Sequence, residues 1–189
     1  QTVVSRTLPP RRPGVITVGA FHSGTKHNII SDAAHLQLTV RSESAEDRTL
    51  LLDGIRRVAE NMGRVAGLPD ELLPKVVVSE ESVPPTLNDK ALTERIMALW
   101  NGHFGEGVLF SGERLGMGAE DFPFFTVDPY IPSLYFAVGG TPPEDFAIEQ
   151  SGGNPVPSHH SPLFKIEPDA SVTMGVEASV TALLDLLGS

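Results

Sequence analysis

The chain of 189 residues contains no cysteine, which excludes disulfides and any zinc site built on thiolates. At this length one domain, or two small ones, can bury a core without either device. The absence fits every redox compartment and leaves location open. Uninterrupted apolar runs fall far short of the roughly 18 to 20 residues that a membrane helix needs, so no membrane span is expected. Positive charge is also scarce: 14 Lys and Arg stand against 24 Asp and Glu, a formal net charge of −10. That balance repels phosphate backbones, and outside the Arg11-Arg12 and Arg56-Arg57 pairs the cations are scattered, which argues against a nucleic-acid partner. The sequence lacks a phosphate-binding P-loop, an H-E-x-x-H helix, a G-x-S-x-G elbow and an N-x-[ST] sequon. Glycines 112, 116 and 118 do not have the dinucleotide-binding spacing. An initiator methionine and a signal segment are missing as well, so the chain is expected to begin inside a longer protein.

Proline and glycine divide what is present into blocks. After the breaker from Leu8 to Gly14, the β-branched run Val15 to Phe21 predicts a strand, followed by a polar loop from His22 to Asp32. Leu36, Leu38 and Val40 then alternate with polar residues, the period of a strand with one buried face. Arg41 closes its polar side. From Ser44 the period lengthens: Leu51, Ile55, Val58, Met62 and Val65 predict an amphipathic helix, with Ser44 as N-cap, Glu46 and Asp47 in its first turn and Gly67 as its stop. Lys75 to Ser82 reads as a further strand. This order is that of an incomplete ferredoxin-like α+β unit, with residues 1–6 as the last turn of its first helix. Beyond a boundary near Val83 to Asn88, Asn88 or Asp89 caps a helix from Lys90 to about Phe104. Short strands are expected at Val108 to Phe110 and Leu134 to Val138, a loop from Ser111 to Gly118, and a helical turn at Glu120 to Phe125. A long loop then runs to His160, and Val172, Val176, Val180, Leu183 and Leu187 form the apolar stripe of a last helix starting near Pro168-Asp169.

Three groups of residues carry candidate chemistry, each with a structural alternative. His159 and His160, in a loop bounded by Pro157 and Pro162, could hold a metal ion or be solvated loop histidines. One histidine cannot build a zinc site, which takes three or four protein ligands. Glu120 and Asp121 follow a glycine-rich segment and could orient a ligand or a metal-bound group, or could simply occupy the favourable first turn of a helix. Asn28 and Arg41 are a pair of the type that holds a substrate carboxylate, or a turn asparagine and a surface arginine.

Blocks in a fixed order resemble a known family. Val15 to Gly19, the loop Asn28-Ile29-Ile30-Ser31-Asp32 and the strand end Thr39-Val40-Arg41 resemble the lid domain of the co-catalytic zinc amidohydrolases and metallopeptidases. That group includes hippurate hydrolases, aminoacylases, auxin-conjugate hydrolases and glutamate-releasing carboxypeptidases. Pro84 to Asp89, Met117 to Phe122 and His160-Ser161-Pro162-Leu163-Phe164 follow in the order of the amidohydrolase branch. Ser31 departs from the branch, which usually has proline there, and a small change in loop stiffness is expected.

The resemblance implies the C-terminal half of such an enzyme: a lid and dimerisation domain over 1–84, incomplete at its start, and over 85–189 the last part of an α/β catalytic domain. It implies that His160 is a metal ligand and that Asn28, Arg41, Gly118 and Glu120 bind or brace the substrate. The catalytic base and the other ligands of two divalent ions, zinc or else manganese, cobalt or nickel, would lie in the other half. The implied activity of the complete enzyme is metal-dependent amide hydrolysis of N-acyl amino acids or related small conjugates, in a cytoplasmic homodimer joined through the lid, with neither nucleic acid nor membrane as partner. The alternatives are a non-catalytic interaction module and a family member that has lost activity.

Overall fold

The computed structural model describes residues 2–110 and 116–188. The chain forms two compact units, Gln1–Thr86 with Leu115–Ile131, and Leu87–Arg114 with Pro132–Ser189. The segment 115–131 thus joins the first unit, so a single cut in the sequence does not separate the two.

The first unit holds α1 (Thr2–Thr7), the antiparallel strands β1 (Gly14–Ser23) and β2 (Ala34–Ser42), and α2 (Ala45–Val65). Among the described residues these are the only paired strands, and Lys75 to Ser82, expected to be a third, is not assigned as one. Its β-branched residues suit an extended backbone, but a strand exists only through a ladder partner, and none of the described residues pairs with it. The helix beginning at Ser44 forms as its sequence dictates. Ser44 Oγ accepts from Asp47 N and donates to Asp47 Oδ2, at 3.1 and 2.9 Å, so the cap and the first-turn carboxylate hold each other. Asp47 is buried, and it receives Arg12 Nη1 at 2.9 Å from the proline-rich breaker. A buried carboxylate needs such a partner. Hydrogen bonding to Glu46 and the charge of Asp47 raise the Arg12 pKa above its ordinary value, so the clasp keeps its cation at every physiological pH.

Val3, Leu8 and fully buried Leu51 form the core of this unit, with Val4, Ile16, Val40 and Leu50 against it. Gly54 lets α1 approach α2: a Cβ there would lie 2.5 Å from Val3 Cγ1. Beyond half-buried Ile55 the predicted α2 stripe is not covered. Val58, Met62 and Val65 are exposed, increasingly so towards the helix end.

The second unit is built on α3 (Lys90–Phe104) and α5 (Pro168–Leu187). Asp89 caps α3 by accepting from Leu92 N at 2.9 Å. Three contacts run in opposite directions along the two helices, which makes them antiparallel: Arg95 Nε to Asp185 Oδ2 at 2.7 Å, Trp100 Nε1 to the Ala178 carbonyl at 3.0 Å, and His103 Nε2 with Glu177 Oε1 at 2.8 Å. Ile96, Trp100 and Ala178 are the buried core. Phe136 meets the Trp100 ring at a centroid distance of 4.8 Å.

Several expectations for this unit are corrected. The strands at Val108 to Phe110 and Leu134 to Val138 are not assigned, while α4 (Pro143–Gln150) forms inside what the sequence suggests is a loop. Pro143 at the first helical position with Glu144 and Asp145 behind it is the overlooked start signal. The loop expected from Ser111 to Gly118 lies partly outside the described residues. On α5 the small Ala178, rather than the valine and leucine stripe, meets α3, because Trp100 needs both room and a carbonyl for its N–H. Val172, Val176, Val180, Leu183 and Leu187 are all exposed. By length and composition α5 could cross a membrane, with a mean hydropathy of 1.4 over its best window. Its charges are few and spaced out, and two of them, Glu177 and Asp185, pair with α3.

Each unit thus carries large apolar side chains that nothing within it covers.

Because Leu51 has no exposure and joins α1, α2 and the sheet, Leu51→Ala is expected to destabilise the first unit by about 2–5 kcal/mol. Urea unfolding followed by far-ultraviolet circular dichroism measures the change, and a shift below about 1 kcal/mol would contradict the packing described.

Candidate functional site

The polar face of the hairpin is set by its register. Ile16 pairs with Val40 and Val18 with Leu38; between Val18 and Ala20 the register shifts by one, so Phe21 pairs with Leu36 and His22 with His35. This bulge at Gly19 keeps Ile16, Val18 and Phe21 on one face with Val40, Leu38 and Leu36. The opposite face carries Val15, Thr17, Ala20 and His22 from β1 with Arg41, Thr39, Gln37 and His35 from β2. Arg41, placed by this alternation at one end of the polar face, donates from Nη1 to the Met117 carbonyl.

That hydrogen bond unites two blocks separated by 76 positions. Met117 is followed by Gly118, which is exposed, and Glu120, which is half-buried. Asp121 begins a short 3-10 turn, Phe122–Phe125, its carbonyl accepting from Phe124 N at 3.0 Å. Arg41 is therefore held against the backbone directly before Gly118. The guanidinium has five N–H groups in a fixed fork, and the Met117 carbonyl accepts from Nη1.

Asn28 is not beside Arg41. It lies in an exposed turn of the loop joining the strands, at the other end of a ladder spanning about 26 Å. Ser31 bends this loop through its hydroxyl, which donates to the Ala33 carbonyl at 2.7 Å and accepts from Ala33 N at 3.3 Å. Serine thus directs the chain by hydrogen bonding where a proline would restrict it by its ring.

His160 belongs to the second unit. Ser161 N donates to the Ser158 carbonyl at 2.8 Å, and Phe164 N to the Ser161 carbonyl at 3.0 Å. These consecutive turns place His159 and His160 side by side and exposed, with ring centroids 4.3 Å apart. Among the described residues no group of three or more His, Asp or Glu side chains could hold a metal ion. Among the described residues His160 thus stands without the further ligands that a metal centre needs.

A positioning residue emerges for which the sequence suggested only a cap. Asn88 donates from Nδ2 to the Tyr135 carbonyl at 3.0 Å and accepts from Tyr135 N at 2.8 Å, as a neighbouring strand would. Asp89 N adds a bond to the Ser133 carbonyl at 2.8 Å. The segment expected as a strand at Leu134 to Val138 thus obtains part of its hydrogen bonding from a side chain. Only the block Pro84 to Asp89 hinted at such a role.

No protein-family model matches the chain. An uncharacterised hydrolase of Sinorhizobium fredii is 31% identical over 187 residues, covering 99% of the chain and 42% of that protein. An N-acetyldiaminopimelate deacetylase of Streptococcus thermophilus is 32% identical over 139 residues, covering 74% of the chain and 35% of the enzyme. A thermostable carboxypeptidase and a hippurate hydrolase match at 31% and 29%. The chain spans less than half the length of the curated relatives it matches. A crystal structure of a Staphylococcus aureus protein described as an aminohydrolase shares the fold, with a TM-score of 0.71 at 24% identity over 97% of the chain and 43% of that protein.

Asn88→Ala removes both bonds to Tyr135 and is expected to cost about 1–3 kcal/mol. It should also speed hydrogen exchange at the Tyr135 amide, read by NMR. An unchanged exchange rate would show that the amide is held by something else.

Proposed function

Because the chain belongs to the amidohydrolase and metallopeptidase family and corresponds to a C-terminal half of its members, we propose that it supplies the lid and the closing part of the catalytic domain to an enzyme that hydrolyses amide bonds in N-acyl amino acids or related small conjugates. The relatives' names support the reaction class: deacetylase, carboxypeptidase and hippurate hydrolase all describe cleavage of an acyl–nitrogen bond.

The observation that carries this reading is the bond from Arg41 to Met117. It fixes a cation at the end of the hairpin beside Gly118 and Glu120, where a substrate carboxylate can be clamped. Glycine at 118 leaves space for a ligand against the backbone, and Glu120 can orient a polar group of the substrate. Asn28, at the far end of the hairpin, is assigned to substrate contact in the partner subunit of a homodimer joined through the lid. Such a lid couples binding to closure over the reacting bond.

The complete enzyme is proposed to use two divalent ions, zinc or else manganese, cobalt or nickel. His160 is assigned as one ligand, and the remaining ligands and the general base are assigned to parts of the enzyme outside this chain. The rival reading, a non-catalytic association module, is favoured only by the large exposed surface, which a covering catalytic half accounts for equally well.

In the complete enzyme, Arg41→Ala should lower kcat/KM about 10- to 150-fold for substrates with a free carboxylate, the equivalent of about 1.5–3 kcal/mol, and change it little for the corresponding carboxamides. Equal losses for both would remove Arg41 from the carboxylate site. The chain of 189 residues by itself should show no turnover of N-acetyl or N-benzoyl amino acids in the presence of zinc or manganese, and measurable hydrolysis would refute the division of labour proposed.

A further inference from the structure

The hairpin contains a second pair of histidines that the proposed reaction does not use. His22 and His35 are direct partners in the antiparallel register, and both are exposed. Counting by twos from Ile16 would put His22 on the apolar face. The extra residue at Gly19 reverses the count, so His22 emerges on the polar face opposite His35. Residues directly opposite on neighbouring antiparallel strands have Cβ atoms about 4.5–5.5 Å apart. A metal–imidazole bond is about 2.0–2.1 Å, so two such rings can converge on one ion.

We propose that His22 and His35 form a two-imidazole clamp for a borderline divalent transition-metal ion such as nickel, zinc or copper. Imidazole suits these ions, whereas magnesium and calcium prefer oxygen donors. The nearest pair on the same face, Ala20 with Gln37, sets no charge against a bound cation, and the chain's net charge of −10 attracts one. Among the described residues no third His, Asp or Glu joins the pair, so water completes the coordination. The clamp closes the loop end of the hairpin whose other end carries Arg41, and binding favours the paired state because the unpaired chain does not hold the two rings together.

The test titrates the purified chain with nickel chloride, reading the ion by calorimetry and the imidazole resonances by NMR. His159→Asn/His160→Asn removes the other adjacent pair and serves as the background. In that background one equivalent of nickel should perturb the His22 and His35 resonances together, and His22→Asn and His35→Asn should each weaken binding at least tenfold. Binding should also release protons and weaken on acidification, because a ring nitrogen holds either a proton or the metal. Both positions are exposed, so the variants are expected to retain the parent circular dichroism spectrum. Unchanged affinity in either single variant, or perturbation of one ring without the other, would overturn the clamp. Loss of all nickel binding in the His159→Asn/His160→Asn background would overturn it as well.

Discussion

The antiparallel register of β1 and β2 is the constraint on which the first unit depends. A slip of one residue would exchange the faces of the hairpin, turning Ile16 and Val40 away from Leu51 and carrying Arg41 from the polar side to the core side. The bulge at Gly19 lets a β1 segment with one residue too many keep that register. On one side it delivers Phe21 to the apolar face; on the other it delivers His22 to His35. The same register places Arg41 where Met117 can receive its guanidinium, so the apolar packing and the polar chemistry share one geometric cause.

The buried clasp at the start of α2 acts on the same arrangement. Asp47, Ser44 and Arg12 tie the proline-rich breaker before β1 to the helix after β2, and so fix the backbone both where it joins the sheet and where it leaves. In the second unit the corresponding tie is Trp100 to the Ala178 carbonyl, which sets α3 against α5 at a small residue and leaves the larger apolar side chains of α5 outward. Exposure of that kind is unfavourable for an isolated protein. The chain spans less than half the length of its relatives.

Local features were the most legible in the sequence. Ser44 announced the start of α2, and the pair Asn88-Asp89 that of α3, where Asp89 proved to be the cap, because capping involves residues only three positions away. The two strands of the hairpin could be read from composition and alternation. The expected strands at Lys75 to Ser82, Val108 to Phe110 and Leu134 to Val138 failed for a shared reason: extended propensity is local, but a ladder requires a partner that no local pattern specifies. Asn88 shows the alternative, a side chain providing to Tyr135 what a strand would. The histidine block at 159–160 was visible as a motif in a proline-bounded loop, but the consecutive turns closed on the Ser158 and Ser161 carbonyls were not.

The sequence by itself determined the helix caps, the alternation of β1 and β2, the breaks at proline and glycine, and the ordered blocks that identify the family. These depend on neighbours within a few residues or on motif order. Tertiary structure alone decided that Arg41 meets Met117, that Ala178 rather than the valine stripe of α5 faces α3, and that His22 stands opposite His35. Each of these joins residues far apart in the chain, and each turns on a register or a close approach that the folded backbone sets and that periodicity along one segment cannot express.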